Sequence, residues 1–345
     1  MLTTTSHEFF VQLHITERCN LRCRHCYQTG KHIDEMTLDE IKNVVSETTE
    51  MINEWSDLYN IAFTQSFNIT GGEPFLRSEI YEILAVIKGI NAETYILTNG
   101  VLIDEKTANS LRNLKVNGVQ VSIEGPQRIH DSIRGKGSFS SSVVGIRHLV
   151  DEGITVTLNT TLSKVNAHYV MDIIELAETL KVQRFGFSRL VPYGRGSNLL
   201  DKMLPKDDIV RLYNRIFSLS PRSLEIVTGD PVASQISEEE PSGGDVAIGG
   251  CAAGISGITI LSDGTITPCR RMPVPIGNIK TDSIRDIWAT SPLLESLRDK
   301  SAYAGKCASC NRWSTCRGCR AIAYAYSRAC DRENILSEDP QCFIR

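Results

Sequence analysis

The chain has 345 residues, of which 41% are hydrophobic and 23% charged, which is enough for one large domain and a smaller one. The formal net charge is −4 and there is no block of Lys and Arg, which argues against bulk nucleic-acid binding. There is no secretory signal and no apolar run near the roughly 18 residues of a membrane span. We therefore expect a cytoplasmic protein that binds neither nucleic acid nor membrane.

Residues 8 to about 217 alternate between short, poorly charged segments and amphipathic segments with helical spacing. The predicted strands are Glu8–Ile15, Ile61–Thr70, Glu93–Thr98, Val119–Ile123, Ile154–Thr160 and Gln183–Ser188. The first predicted helix starts at a capping-box pattern, Thr37 to Glu40, and the others lie near 78–89, 104–115, 139–152, 167–180 and 205–218. Six β/α repeats predict an α/β fold, a partial (β/α)6 TIM-like barrel with its helices outside.

The barrel is expected to span residues 8–225. Residues 226–250 are turn-rich and acidic, which predicts a linker or mobile loop. Residues 251–345 are expected to form a small cysteine-rich domain. The eleven cysteines occur only at 19–26 and 251–342, and in a reducing compartment this grouping indicates metal or redox chemistry rather than disulfides.

The first predicted strand is followed by Cys19, Cys23 and Cys26, spaced C-x3-C-x2-C, and then by Tyr27. Thiolates this close together can surround one soft metal centre. A four-iron cluster offers four iron sites, and three ligands leave one iron open to a substrate or cofactor. The alternative is a zinc knuckle, which favours C-x2-C pairs and needs a fourth ligand such as His25.

This C-x3-C-x2-C-aromatic loop resembles the signature of the radical S-adenosylmethionine (radical SAM) superfamily, with Tyr27 beside the cluster. The resemblance implies that the open iron of a [4Fe-4S] cluster chelates the methionyl amine and carboxylate of SAM. It implies that one electron cleaves SAM to a 5'-deoxyadenosyl radical. A reducing partner such as flavodoxin or ferredoxin is then expected to supply the electron.

The segment Gly71, Gly72, Glu73 and Pro74 follows the second predicted strand. Glycines let a ligand approach the backbone closely, and proline fixes the turn. The segment resembles the G-G-E-P motif of radical SAM enzymes, which implies that these four residues bind the methionyl ammonium of SAM. A plain tight turn is the alternative.

Residues 122–126 resemble the S-[IL]-D-G-P motif of the family, and residues 130–135 resemble its H-D-x-x-R-G motif. The resemblance implies that Ser122 approaches the SAM ribose and that Arg134 approaches its carboxylate. An ion pair within the loop is the alternative for Arg134, and Glu124 stands where the family usually has aspartate. Asn159 and Leu190 stand where the fifth and sixth strands of the family contact ribose and adenine.

The C-terminal cysteines resemble those of the SPASM domain, which holds two auxiliary [4Fe-4S] clusters. The spacing departs from the usual pattern once, since two residues rather than three separate Cys316 from Cys319. The resemblance implies one cluster held by Cys307, Cys310, Cys316 and Cys342, and another held by Cys251, Cys269 and Cys319. The latter cluster lacks a fourth cysteine, so an open iron or a non-cysteine ligand is expected. Cys330 is left over as a free thiol or alternative ligand, and a zinc ribbon is the alternative for the whole segment.

We therefore predict a radical SAM oxidoreductase that abstracts hydrogen from a peptide or protein side chain, leading to oxidation or crosslinking as in peptide maturases. The chain begins directly at the first barrel strand, so no N-terminal peptide-recognition domain is expected. The segment 190–196 resembles L-V-P-x-G-R-G of haem-type members. A small molecule, such as a haem-type tetrapyrrole precursor or an aminoglycoside, is therefore the alternative substrate. A non-catalytic iron–sulfur electron-transfer protein is a further alternative, although such a protein needs no SAM-binding groups.

Overall fold

The computed structural model describes residues 7–30, 33–219, 224–236 and 245–344. Its centre is a parallel sheet in which six strands lie side by side in chain order. They are β1 (His7–His14), β2 (Phe63–Thr70), β3 (Glu93–Thr98), β4 (Gly118–Ser122), β5 (Val156–Leu162) and β6 (Arg184–Arg189). The six predicted strands are confirmed, because each overlaps one of these.

Seven helices follow the strands on the outside of the sheet. They are α1 (Leu38–Tyr59), α2 (Ile80–Gly89), α3 (Glu105–Asn113), α4 (Gln127–Arg134), α5 (Ser138–Asp151), α6 (Val170–Thr179) and α7 (Lys206–Phe217). The predicted capping box is present, since Glu40 N donates to Thr37 Oγ1 at 3.2 Å and Thr37 N donates to Glu40 Oε2 at 2.7 Å. Helix α4 was not expected from the sequence.

The sheet continues beyond these strands at both ends. Strand β7 (Glu225–Val227) pairs with β6, and β8 (Gly257–Ile260) pairs in parallel with β1. Strands β9 (Thr265–Thr267) and β10 (Gly277–Asn278) add antiparallel beyond β8. Within the described part of the chain β10 and β7 are the two unpaired edges, so the barrel is open as predicted. The predicted linker lies partly outside the described residues, because 237–244 are not included.

The main core lies between the sheet and the helices. Its strand side chains, such as Phe67, Ile96 and Val121, are fully buried, as expected of parallel strands covered on both faces. The C-terminal residues add four short helices, α8 (Ile284–Thr290), α9 (Pro292–Arg298), α10 (Lys306–Ser309) and α11 (Arg320–Ala329). A second apolar cluster, which includes Met272, Leu294 and Ile322, packs α9 and α11 together.

A buried ionic network joins β6 to the C-terminal segment. Arg189 donates from Nε and Nη2 to Asp230 at 2.6 and 2.8 Å, and from Nη1 and Nη2 to Asp339 at 3.0 and 2.8 Å. Gln341 completes the junction, since its side chain accepts from Arg189 Nη1 and donates to the carbonyl oxygen of Leu204. The barrel and the cysteine-rich segment are therefore connected by buried charges as well as by the shared sheet.

Candidate functional site

Cys19, Cys23 and Cys26 lie on the loop after β1, and all three line one cavity at the carboxyl ends of the strands. The loop is anchored by Arg24 N donating to Ile133 O at 2.9 Å and by Gly196 N donating to Cys26 O at 3.0 Å. Burial raises the pKa of the Cys19 thiol to about 11, and the neighbouring charges of Glu73, Cys23 and Cys26 add to that rise. Burial also raises the pKa of the Cys23 thiol. Three clustered thiols of this kind fit a cationic iron–sulfur core, which supplies the positive charge that thiolate ligands need.

The remaining wall of this cavity comes from the ends of five further strands, as expected for a barrel site. It includes Thr70, Gly71 and Gly72 after β2, Thr98 and Asn99 after β3, Ser122 on β4, Asn159 and Thr161 on β5, and Ser188 and Arg189 on β6. Tyr27 also contributes to the wall. The cavity encloses about 930 Å³ of empty space, part of it open to solvent. Polar groups of the chain therefore surround a space beside the three cysteines.

The glycine pair allows the chain to approach itself. A Cβ at Gly71 would lie 2.2 Å from Thr16 O, and one at Gly72 would lie 2.1 Å from Arg18 O. Gly71 also has φ of +140°, a conformation that other residues rarely adopt. Gly72 N and Glu73 N donate to Thr16 O and Arg18 O, each at 2.8 Å. The pair therefore fixes the turn after β2 against the start of the cysteine loop.

Glu73 is completely buried and lies behind the cavity wall, together with Pro74. Its carboxylate accepts from Thr98 Oγ1 at 2.7 Å and from Asn99 N at 2.9 Å. Burial raises the pKa of Glu73 to about 7, despite these hydrogen bonds. Leu190 is also buried and packs in the second apolar cluster rather than on the cavity wall. The predicted SAM contacts of Glu73, Pro74 and Leu190 stay predictions.

Arg134 lines the cavity and forms an ion pair with Glu124, which is almost fully buried. Its Nε and Nη2 donate to Glu124 Oε1 at 3.0 and 2.6 Å, while Nη1 lies 3.8 Å from Cys23 Sγ. His25 Nε2 lies 3.5 Å from the same Glu124 oxygen. Burial lowers the pKa of His25 to about 4, so this imidazole is neutral at pH 7. One edge of the Arg134 guanidinium faces the cysteine loop.

Four C-terminal cysteines surround a second cavity, of about 780 Å³: Cys307, Cys310, Cys316 and Cys342. Gln235 Nε2 donates to Cys316 Sγ at 3.3 Å and to Cys342 Sγ at 3.6 Å. Backbone amides also donate to sulfur, from Arg312 to Cys310 and from Gly318 to Cys316, each at 3.4 Å. This arrangement fits the ligand set of a cluster with four thiolates.

Cys251, Cys269 and Cys319 meet at a third location, in the second apolar cluster. Arg271 lies among them. Burial by itself lowers the pKa of this guanidinium, but the charges of Cys319, Cys269 and Cys251 outweigh burial and raise it. Cys330 is exposed at the far end of the ten-residue helix α11, about 15 Å from its start beside Cys319. The three thiols therefore have an arginine, not Cys330, as their further neighbour.

Sequence reasoning missed four side chains at these sites: Gln235, Arg195, Arg270 and Arg271. Gln235 belongs to the segment that was expected to be a linker. Arg195 lies in the 190–196 segment, whose sequence gives no sign that this side chain reaches the cavity. The adjacent pair Arg270 and Arg271 directly after Cys269 was the one available signal for a basic group near the clusters.

Comparisons with known proteins agree with this arrangement. Residues 13–177 match the model of the radical SAM superfamily, and residues 251–320 match SPASM, described as an iron–sulfur cluster-binding domain. The chain therefore carries a radical SAM domain followed by a SPASM domain. Its cofactors are SAM, a [4Fe-4S] cluster that binds SAM, and auxiliary [4Fe-4S] clusters. Among the described residues, no helix has the length and apolar character to cross a bilayer.

Individual relatives fall into two groups by name. The chain is 29% identical to an AdoMet-dependent heme synthase of Oleidesulfovibrio alaskensis, over 95% of this chain and 85% of the relative. It is 28% identical to the mycofactocin maturase MftC of Mycolicibacterium smegmatis, over 95% and 81%. Among solved structures, Streptococcus suis SuiB bound to its precursor peptide SuiA superposes with a TM-score of 0.75 at 17% identity, over 98% and 76%. The last comparison confirms the fold.

Proposed function

We propose that Cys19, Cys23 and Cys26 hold the SAM-binding cluster of this radical SAM enzyme, and that the surrounding strand ends bind SAM. The observation that carries the proposal is the shared cavity, in which the three thiols and the polar strand ends lie together. When bound, the cluster supplies the electron that cleaves SAM to a 5'-deoxyadenosyl radical. We further propose flavodoxin or ferredoxin as the source of that electron.

The chain's own residues would bind and orient SAM. Gly71 and Gly72 present backbone at the cavity wall, where the methionyl ammonium can bind to it. Ser122 and Asn159 offer a hydroxyl and an amide to the ribose hydroxyls. Arg134 has one guanidinium edge directed toward the cysteine loop for the SAM carboxylate.

The C-terminal cysteines would hold two auxiliary clusters, one in each of the two groups of cysteines that lie close together in the fold. Cys307, Cys310, Cys316 and Cys342 share one cavity, and Cys251, Cys269 and Cys319 share another location. Anaerobically reconstituted protein should then contain about twelve irons per chain. Replacing Cys19, Cys23 and Cys26 with alanine should remove about four of them and abolish 5'-deoxyadenosine formation. Stoichiometric zinc in the C-terminal segment, or SAM cleavage by the triple variant, would contradict these assignments.

The substrate is proposed to be a peptide or protein side chain, oxidised or crosslinked after hydrogen abstraction. The open side of the barrel, between the edges β7 and β10, supports this because an extended chain can enter laterally there. The similarity to a mycofactocin maturase over 95% of the chain adds support.

The second candidate substrate is a tetrapyrrole precursor. The observation that favours it is the similarity to AdoMet-dependent heme synthases, which extends over 95% of this chain at 29% identity. The cavity beside the cysteines is also lined by arginines, which suit the carboxylates of a tetrapyrrole side chain.

The test is SAM turnover by reconstituted, reduced enzyme with each substrate class, followed by mass spectrometry. Candidate precursor peptides and iron coproporphyrin III are supplied in parallel, in normal and deuterated buffer. A loss of two hydrogens from a peptide residue, or a new crosslink, would support the first candidate. Turnover that depends only on the tetrapyrrole would support the second and overturn the first. Absence of any 5'-deoxyadenosine would overturn the SAM chemistry itself.

A further inference from the structure

The SAM cavity is the cavity lined by Cys19, Cys23 and Cys26, in which SAM is proposed to bind. Among the described residues, the only side chains on its wall with a permanent charge are arginines. Five arginines contribute to its wall, at positions 134, 189, 195, 270 and 271, and no Asp or Glu does. Two of the five are neutralised within the fold. Arg134 bonds to Glu124, and Arg189 bonds to Asp230 and Asp339.

The other three, Arg195, Arg270 and Arg271, form no ion pair with any residue that the structure describes. All three are half-buried. Nε of Arg195 is buried and has no hydrogen-bond partner there. A partly buried guanidinium without a counter-charge is costly, so Arg195 and Arg270 indicate an anion that is supplied from outside. Arg271 differs from them, because the thiols of Cys251, Cys269 and Cys319 lie beside it.

Arg195 belongs with the cysteine loop. Its charge acts on Cys23 and His25, and its backbone donates to Gln28 O at 3.3 Å. SAM at neutral pH carries one carboxylate beside its two cationic groups. That carboxylate and the cluster thiolates can be matched by Arg195 together with the free edge of Arg134. The charge of Arg270 is then left for another ligand, and Arg271, its neighbour in the chain, lines the same cavity.

Arg270 and Arg271 occupy the two central positions of one tight turn, which Met272 N closes by donating to Cys269 O at 2.9 Å. Met272 is fully buried, so the turn is fixed at its base. The Arg270 guanidinium lies over the Tyr27 ring, 5.9 Å from its centre, and therefore beside the cysteine loop. Arg271 lies among Cys251, Cys269 and Cys319 and still lines the SAM cavity. The turn thus presents two cations between two cluster sites.

We infer that Arg270 and Arg271 bind a carboxylate of the substrate and so hold the reacting part of the substrate between SAM and the auxiliary cluster site of Cys251, Cys269 and Cys319. This inference rests on the proposed function. Two adjacent forks on a rigid turn suit a planar anion, because each guanidinium can donate two parallel hydrogen bonds. The carboxylate can belong to a tetrapyrrole side chain or to a peptide, either at its C-terminus or on Asp or Glu.

Binding to the reconstituted enzyme with SAM tests the inference. The first probe pair is iron coproporphyrin III and its tetramethyl ester, and their binding is measured by the change in visible absorbance. The second probe is a random hexapeptide library, half with free C-terminal carboxylates and half amidated, with bound peptides identified by mass spectrometry. The variants are Arg270→Gln, Arg271→Gln and Arg270→Lys. Arg128→Gln is the control, because Arg128 is exposed and does not line the cavity.

We expect the acid probe to bind the enzyme, and either glutamine substitution to weaken that binding roughly 10- to 100-fold. Arg270→Lys should recover part of the loss, and the control should bind normally. Iron content, SAM affinity and basal SAM cleavage should stay unchanged in Arg128→Gln. Wild-type enzyme that cleaves SAM but binds no acid would refute this inference alone, whereas absence of SAM cleavage would refute the proposed function. Tighter binding of iron coproporphyrin III than of its tetramethyl ester would identify a tetrapyrrole substrate. Enrichment of peptides with a free C-terminal carboxylate among the bound peptides would identify a peptide substrate. The inference is overturned if esters and amides bind as well as acids, if the glutamine variants bind normally, or if no acid binds at about 1 mM.

Discussion

Arg134 divides its hydrogen-bonding groups between two neighbours. Two of its nitrogens bond to the buried Glu124, and the third lies 3.8 Å from Cys23 Sγ. A guanidinium held this firmly cannot turn toward a ligand without breaking the ion pair. Its contribution to SAM binding must therefore come from the one remaining edge.

We predict that Arg134→Ala weakens SAM binding by about 1.5–3 kcal/mol, the range for a hydrogen bond to a charged group. Equilibrium dialysis on reconstituted protein measures the effect, with iron content as the control. Glu124→Gln is the matched variant, since it removes the ion pair but keeps the arginine. Normal SAM affinity in Arg134→Ala would mean that the residue serves only the ion pair.

A second prediction about a single residue concerns Gln235. Its amide donates to the sulfurs of both Cys316 and Cys342, and hydrogen bonds to cluster sulfurs favour the reduced, more negative state. Gln235→Leu should therefore lower the midpoint potential of one auxiliary cluster by roughly tens of millivolts. Redox titration followed by electron paramagnetic resonance measures it. The other clusters of the same protein serve as internal controls, and a potential that does not move would refute the role.

Some of these functional residues can be predicted from the sequence, and others cannot. Cysteines and the Gly71–Pro74 segment are recognisable because metal ligation and tight turns need fixed residue types at fixed spacing. Gln235 acts through contacts with Cys316 and Cys342, which are far away in the chain, and an amide that faces a thiol leaves no local pattern. The burial of Glu73 behind the cavity wall likewise depends on Thr98 and Asn99, which belong to another strand end.

At the scale of elements, the turn after β2 is the most constrained connection of the barrel. A Cβ at Gly72 would lie 2.1 Å from Arg18 O and 2.6 Å from Arg18 C, so backbone would have to move. Gly72→Ala should destabilise the protein by about 1–3 kcal/mol, the usual cost of overpacking. Chemical denaturation measures the change in unfolding free energy.

Gly89→Ala is the matched control for that variant. Gly89 ends helix α2, and a Cβ there would meet nothing within 4 Å. Because alanine also restricts the unfolded chain, this substitution should leave stability unchanged or raise it by about 0.4–1 kcal/mol. Equal destabilisation by both variants would mean that the close approach of the two backbones is unimportant.

The six main strands were predictable because each combines apolar residues with a clear boundary. Strands β7 to β10 were not, since they contain only two to four residues and so carry no readable periodicity. Helix α4 is hard to predict because its eight residues include only two apolar side chains, Ile129 and Ile133. Its first turn follows Pro126, which ends the preceding extended segment.

At the scale of the whole molecule, Arg189 connects the barrel to the SPASM segment. Arg189→Met should lower the unfolding free energy by about 3–5 kcal/mol, because Asp230 and Asp339 would stay buried without their cation. Arg184→Gln, on the same strand, breaks the exposed pair with Glu225 and should cost less than about 1 kcal/mol. Similar losses in the two variants would show that burial of the network is irrelevant.

The same network predicts a pH dependence. Burial by itself raises the pKa of Asp339, but the Arg189 guanidinium and the amides of Cys319 and Gln341 hold it below its usual range. A lowered pKa in the folded state stabilises the fold above the unfolded-state pKa, and that stabilisation is lost as pH falls through the folded-state pKa. Wild-type protein should therefore lose stability below about pH 4, and more steeply than Arg189→Met. Acid unfolding followed by circular dichroism measures both slopes.

The pairing of β8 with β1 has a consequence for synthesis on the ribosome. One edge of β1 is covered by residues 63–70, but the other waits for residues 257–260. At about 5–20 residues per second, that interval lasts on the order of 10–40 s. During it the nascent barrel presents an unpaired strand edge beside Phe9, Val11 and Leu13, the kind of edge that recruits other chains. Slow translation of the middle of this chain should therefore favour aggregation, and ribosome-bound chaperones should reduce it.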